Sequence, residues 1–162
     1  MKLLQLTRGL AAMVDDEDWE RVTRYKWNSI PNRNHTHYAV RGIYDPLTRK
    51  ISRQWLHRFI LDAPDGITVD HIDRNGLNCQ RNNLRLATRS QQQINRNSWS
   101  ISGFRGVSKH GNSWQAEVKI KGKRYTRREK TPEEAAMAYD MLAKQYHGEF
   151  AVLNFPDGDS NV

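Results

Sequence analysis

An adjacent acid and imidazole, Asp70-His71, closes the β-branched run Ile67-Thr68-Val69, and Asn83 follows further along the chain. The carboxylate can hold a hard divalent cation, and the imidazole can take a proton from water near neutral pH. That pairing suits hydrolysis of a phosphodiester, which needs an activated water and relief of charge on phosphate and leaving oxygen. Asp70 is therefore the candidate cation ligand and His71 the candidate base. His57, upstream in Leu56-His57-Arg58, is a possible support whose simpler role is capping or packing. His35, His37, His110 and His147 have no partner pattern and are expected at the surface.

These residues need elements to hold them. Ile67-Thr68-Val69 predicts a short strand ending at Asp70-His71. Asp73-Arg74-Asn75-Gly76 reads as a tight turn. Leu84-Arg85-Leu86-Ala87-Thr88 leads into the polar run Ser90-Gln91-Gln92-Gln93-Ile94-Asn95, a helix with Ser90 near its start. Strand, returning loop and helix are thus expected in that order. Leu56–Leu61 predicts a short helix, followed by a turn at Pro64-Asp65-Gly66. Further upstream, Asp15-Asp16-Glu17-Asp18 suits a helix N-terminus through the helix dipole. Tyr38–Ile43 and Ile51–Trp55, joined at Asp45-Pro46-Leu47-Thr48, describe a hairpin.

Beyond residue 103 three strand-like runs follow: Gly106–Ser108, Ser113–Ile120 and Lys123–Arg127. In the middle one Trp114, Ala116, Val118 and Ile120 alternate with Gln115, Glu117 and Lys119, so one face is apolar. Thr131-Pro132-Glu133-Glu134 combines an N-cap, a proline at the first helical position and a capping-box glutamate. Ala135, Ala136, Tyr139, Leu142, Ala143 and Tyr146 then form one helical stripe, and Gly148 ends it.

Charge is uneven along the 162 residues. Residues 84–130 hold twelve of the 26 Lys and Arg but two of the 18 Asp and Glu, within a net charge of +8. Trp, Tyr and Gly interleave these cations, which favours nucleic acid as partner over a merely solvated basic surface. A single cysteine, Cys79, excludes an internal disulfide and a Cys-rich zinc site. No apolar run approaches the ~18 residues of a membrane span, the N-terminus lacks a signal-peptide pattern, and no small-molecule cofactor loop is present. A soluble, intracellular protein is expected, in the host cytoplasm if phage-encoded.

Residues 56–97 resemble HNH endonucleases of the phage and homing type, through Leu56-His57-Arg58, Asp70-His71, Asn83-Leu84-Arg85, Thr88 and Asn95. The resemblance implies a ββα-metal fold. It assigns metal binding to Asp70, the general base to His71, loop-fixing or base orientation to Asn83, and a metal ligand on the helix to Gln92. Such enzymes usually carry His or Asn at that last position, so Gln92 departs by one methylene or in chemistry; Asn95 is the alternative ligand. The ion implied is Mg²⁺ or Mn²⁺. The segment from Leu6-Thr7-Arg8-Gly9 to Tyr38-Ala39-Val40-Arg41 looks like the N-terminal region of such phage enzymes. Residues 103–156 resemble the Apetala2/ethylene-response-factor DNA-binding domain, through Arg105-Gly106-Val107, Ala116-Glu117-Val118, Glu133–Ala136, Ala138-Tyr139-Asp140 and Leu153-Asn154-Phe155. That resemblance places Arg105, Glu117, Lys119, Lys123, Tyr125 and Arg127 toward double-stranded DNA.

The expectation is therefore an α+β protein. It has an N-terminal accessory α+β segment (1–55), an HNH module (56–97), a linker (98–102), a three-stranded antiparallel sheet packed on one helix (103–156) and a tail (157–162). The function expected is a metal-dependent DNA endonuclease of phage or mobile-element type. The alternatives are a DNA-binding protein with a decayed nuclease site and a transcription factor.

Overall fold

A computed structural model describes residues 1–32, 36–96 and 100–156. His35, residues 98 and 99 of the expected linker and the expected tail lie outside the described residues. The fold is α+β and divides into two compact units, Met1–Gln92 and Gln93–Val162.

The first unit opens with β1 (Lys2–Gln5) and β2 (Ala11–Val14), an antiparallel pair. Their connection turns through Arg8 and Gly9, both at positive φ, and is closed by Leu6 N–H on the Leu10 carbonyl at 2.8 Å. Neither strand is legible in the sequence, because each is four residues long and no alternation marks it. The acidic run starts α1 (Asp16–Thr23), as expected. Trp27 is not on that helix; it lies in the core, its indole N–H donating to the Val22 carbonyl at 2.9 Å. A three-stranded antiparallel sheet follows in the order β3 (Asn28–Pro31), β4 (His37–Asp45), β5 (Lys50–Trp55). Then come α2 (Leu56–Ile60) and the antiparallel pair β6 (Thr68–His71) and β7 (Leu84–Ala87), with α3 (Arg89–Ile94) after it.

One core serves this whole unit. Val14 and Val22 from the N-terminal segment are fully buried with Leu56 and Ile60 of α2, and Val69 and Leu84 of the β6–β7 pair join them. Burying each such side chain contributes about 1.5–3 kcal/mol. Within this unit, residues 1–55 and the residues that follow thus share one core.

The second unit holds β8 (Val107–His110), β9 (Ser113–Ile120), β10 (Lys123–Glu129) and α4 (Pro132–His147), the sheet order being β10-β9-β8. The Thr131 hydroxyl accepts from Glu134 N–H at 3.2 Å and the Glu134 carboxylate accepts from Thr131 N–H at 3.0 Å, so both arms of the capping box form. Val107, Ala116 and Val118 of the sheet pack on Ala135, Ala136, Tyr139 and Ala143 of α4. Gly106 sits at φ +66, and a Cβ there would meet the Tyr139 ring at 2.2 Å, so glycine is required twice over.

Candidate active site

The β6–β7 pair sets the register of the acid-imidazole pair: Asp70 lies opposite Arg85 and His71 opposite Leu84. Both Asp70 and His71 are buried. Arg85 donates to Asp70 Oδ2 from Nε at 3.0 Å and from Nη2 at 2.9 Å. A cation taken by Asp70 would share the carboxylate with that guanidinium.

Between the strands the chain makes a loop tied from within by its own polar groups and from β2 by Met13, whose N–H donates to the Leu77 carbonyl at 2.8 Å and whose carbonyl accepts from Cys79 N–H at 2.9 Å. Asn83 is its clasp. The Asn83 Oδ1 accepts from Asp73 N–H at 3.0 Å, while Nδ2 donates to Asp73 Oδ1 at 2.9 Å and to the Asn78 carbonyl at 2.8 Å. Burial works to raise the Asp73 pKa, but hydrogen bonds from Asn78, Asn75 and Asn83 outweigh it and hold the carboxyl below its usual range. Gly76 has a separate reason: a Cβ there would lie 2.5 Å from the His37 carbonyl and 2.6 Å from the Tyr38 ring.

His71 sits in an aromatic nest. Its ring lies edge-on to His57, centroids 4.9 Å apart, and 5.6 Å from Tyr38. Trp55 stacks beside His57 at 6.1 Å. Burial pushes the His71 pKa down to about 4, against the smaller upward pull of Asp73 and Asp70. Burial, then His71 and Arg58, push His57 down to about 3. Both imidazoles are neutral at neutral pH, and a neutral imidazole is the form that accepts a proton. His57 Nδ1 is buried without a hydrogen-bond partner. His57 also lines a cavity of about 260 Å³, with Tyr38, Trp55, Val69, Asn32 and Gln92 among its other walls. Gln92 thus meets His57 in this cavity, whose lining does not include Asp70. Asn95 is buried and falls in the second unit.

The oxygen donors of Asp70 and Gln92 are hard ligands. Among the described residues no three His, Cys, Asp or Glu side chains gather as a metal cage. The Asp70 carboxylate suits an ion such as Mg²⁺, which keeps waters and commonly takes one or two carboxylates plus substrate phosphate.

Two supports escaped sequence reasoning. Asp15 and Asp18 of the acidic run do more than start α1. Asp18 receives Arg81 Nε at 2.7 Å and Nη2 at 2.8 Å, and Asp15 receives Gln80 Nε2 at 3.0 Å and Arg81 N–H at 2.8 Å. They hold the turn that delivers Asn83 and β7. Arg58 similarly binds the carbonyls of Ala63, Pro64 and Ile67, fixing the turn before β6. Excess carboxylates beside a distant Arg-Asn-Asn were the available signal.

A family profile of HNH endonucleases matches residues 62–94, the span from the turn before β6 to the end of α3. An uncharacterized HNH endonuclease of Acanthamoeba polyphaga mimivirus is 34% identical over 160 residues, covering 94% of this chain and 79% of the relative. The chain belongs to the HNH endonuclease family. Protein 3.8 of Escherichia phage T7 is 33% identical over 97 residues, 54% of this chain and 76% of its own. No solved structure matches. Among the described residues of this endonuclease, no helix is long and apolar enough to cross a membrane.

The residues expected to face DNA in the second unit do not share one face. Register places Glu117 and Lys119 of β9 with Arg124, Thr126 and Arg128 of β10. Lys123, Tyr125 and Arg127 instead stand opposite Ile120, Val118 and Ala116, on the parity that meets α4. The Tyr125 ring is stacked on Tyr146 at 3.9 Å. The period-2 pleat is the reason: the expected β10 set was out of step by one residue with the β9 set. Arg105 is also engaged, its guanidinium donating to the carbonyls of Ile94 and Arg96. His147, expected at the surface, is half-buried.

Proposed function

We propose that this HNH endonuclease hydrolyses phosphodiester bonds of double-stranded DNA with a bound divalent ion, Mg²⁺ or Mn²⁺. The observation that carries the reading is the buried, neutral His71 beside Asp70 at the end of β6, next to the loop clasped by Asn83. His71 Nδ1 or Nε2 takes the proton of the attacking water. Asp70 and Gln92 hold the ion, and Arg85 keeps the Asp70 carboxylate oriented. Asn83 fixes the loop that carries the strand end. The ion, when bound, supplies a Lewis acid for the phosphate and leaving oxygen. The aromatic nest limits water around the base.

The test is purified protein with plasmid DNA and Mg²⁺ or Mn²⁺, with and without chelator. His71→Ala is expected to lose about 10²–10⁴-fold in rate while retaining DNA binding. Cutting at the wild-type rate by His71→Ala, or in excess chelator, sinks the assignment.

A second reading, a decayed nuclease, draws on Gln92, which shares its cavity with His57. If Gln92 is a ligand, Gln92→Ala lowers activity, while Gln92→Asn or Gln92→His retains or raises it. A decayed site gives an inactive wild type in which the shorter ligands restore cutting. Equal activity in wild type and Gln92→Ala removes position 92 from the metal and turns attention to Asn95.

The second unit is read as the targeting module, after its resemblance to the Apetala2/ethylene-response-factor domain. The support is a three-stranded sheet on one helix, with Lys119, Arg124 and Arg128 on its exposed face. Cations there neutralise phosphate, and Arg can read guanine in the major groove.

A further inference from the structure

The β4–β5 hairpin runs past the core that holds its root. Val40 and Trp55 pair at the root, and Asp45 and Lys50 at the tip. Five residue steps at roughly 3.3 Å each set the tip about 17 Å from Trp55. Along it, exposed apolar side chains accumulate: Tyr44 opposite Ile51, and Leu47 at the tip with 94% of its surface exposed. Arg53 shares the Tyr44–Ile51 face, Lys50 stands opposite Asp45 on the other face, and Arg49 lies in the turn; all three are exposed. The lone acid, Asp45, is occupied in the turn, accepting Leu47 N–H at 3.0 Å and the Thr48 hydroxyl at 2.6 Å.

Arg49 is in the left-handed region, at φ +53. A hairpin loop favours glycine there, and an L side chain is strained. Strain that persists in an exposed loop points to a use for the side chain. β5 is also a sheet edge, and exposed apolar residues on an edge invite association. Apolar side chains beside three cations complement a polyanion whose grooves also offer apolar contact, as the thymine methyl groups of a duplex do. A duplex is such a partner, and its major groove admits a two-stranded ribbon.

We propose that the β4–β5 hairpin is a DNA-contacting arm of the nuclease unit. Arg49, Lys50 and Arg53 neutralise phosphates, and Tyr44, Leu47 and Ile51 lie against the groove. The proposal rests on the DNA endonuclease reading above. The arm's root adjoins the site, since Trp55 stacks on His57 and His57 abuts His71. The tip therefore meets the duplex away from the scissile bond.

The experiment uses the full chain with chelator present, so that binding is measured without cutting. Duplex affinity is followed by fluorescence anisotropy across salt, contacts by hydroxyl-radical footprinting, mass by light scattering. Arg49→Gly relieves the left-handed strain, so it is expected to keep or raise the melting temperature while weakening binding. Adding Lys50→Gln and Arg53→Gln is expected to weaken binding at least tenfold. It should lower the log–log salt slope by about 2.7, roughly 0.9 per cation. Protection to one side of the cut should disappear. Wild-type affinity, slope and footprint in Arg49→Gly and the triple variant overturn the arm alone. So does a wild-type dimer that Leu47→Ser and Ile51→Ser dissolve, which makes the hairpin a subunit interface. A wild type that binds no duplex overturns the DNA endonuclease reading together with the arm.

Discussion

Arg85 and Asp70 are the pair on which the site's geometry turns. Both are largely buried, with side-chain exposures of 14% and 6%. Removing one partner of a buried ion pair costs about 3–5 kcal/mol, so Arg85→Ala is expected to lose stability of that order in urea unfolding. A loss under 1 kcal/mol would show that Asp70 is held by other means. Cys79 gives a second residue-scale expectation. Burial, then the nearby Asp73, push its thiol up to about 12, and it lies in the first unit's core. Iodoacetamide should leave it unmodified in the native protein and label it on unfolding; rapid native labelling would place it elsewhere. At this scale the sequence was readable where local rules apply. Asp70-His71 at a strand end follows from strand chemistry, while loop-fixing by Asn83 is implied by the HNH resemblance and is matched by its hydrogen bonds to Asp73 and Asn78. Arg81 on Asp18 was not readable, because nothing local joins positions 63 apart.

The elements divide along the same line. The capping box of α4 is local and was fully legible. Thr131→Ala is expected to destabilise the second unit by about 1 kcal/mol, while Thr131→Ser should cost less. Calorimetry of both variants checks the order. The four-residue strands β1 and β2 were missed because their stability comes from pairing and burial rather than propensity. The β10 face was misread by one residue for the reason of register, which only the partner strand fixes. Asp15 sits between elements. Hydrogen bonds from Gln80 lead the causes that lower its pKa, against burial, so it is depressed in the folded state. Its stabilisation is therefore present above the unfolded value of about 3.9 and is lost as pH falls through the folded value. Asp15→Asn should be less stable than wild type at pH 7, and the difference should vanish toward pH 2. A gap that persists undiminished at pH 2 would mean that its charge is not what matters.

At the scale of the whole molecule, two units with separate cores predict separable folding. A fragment from residue 93 onward is expected to unfold cooperatively by itself, and to bind duplex DNA with a steep salt dependence if it is the targeting module. A fragment from residue 56 to 97 is expected not to fold, since Val14, Val22 and Trp27 supply core it would lack. A cooperative transition from that short piece would overturn the shared-core account. The clamp of Asp18 on Arg81 also orders events during synthesis. The acidic helix leaves the ribosome first and must wait for an arginine 63 positions later before the loop behind His71 can lock. Until then the nascent chain has made the Asp-His pair but not its buttress, so a truncated translation product ending before Arg81 carries the catalytic letters without a nuclease.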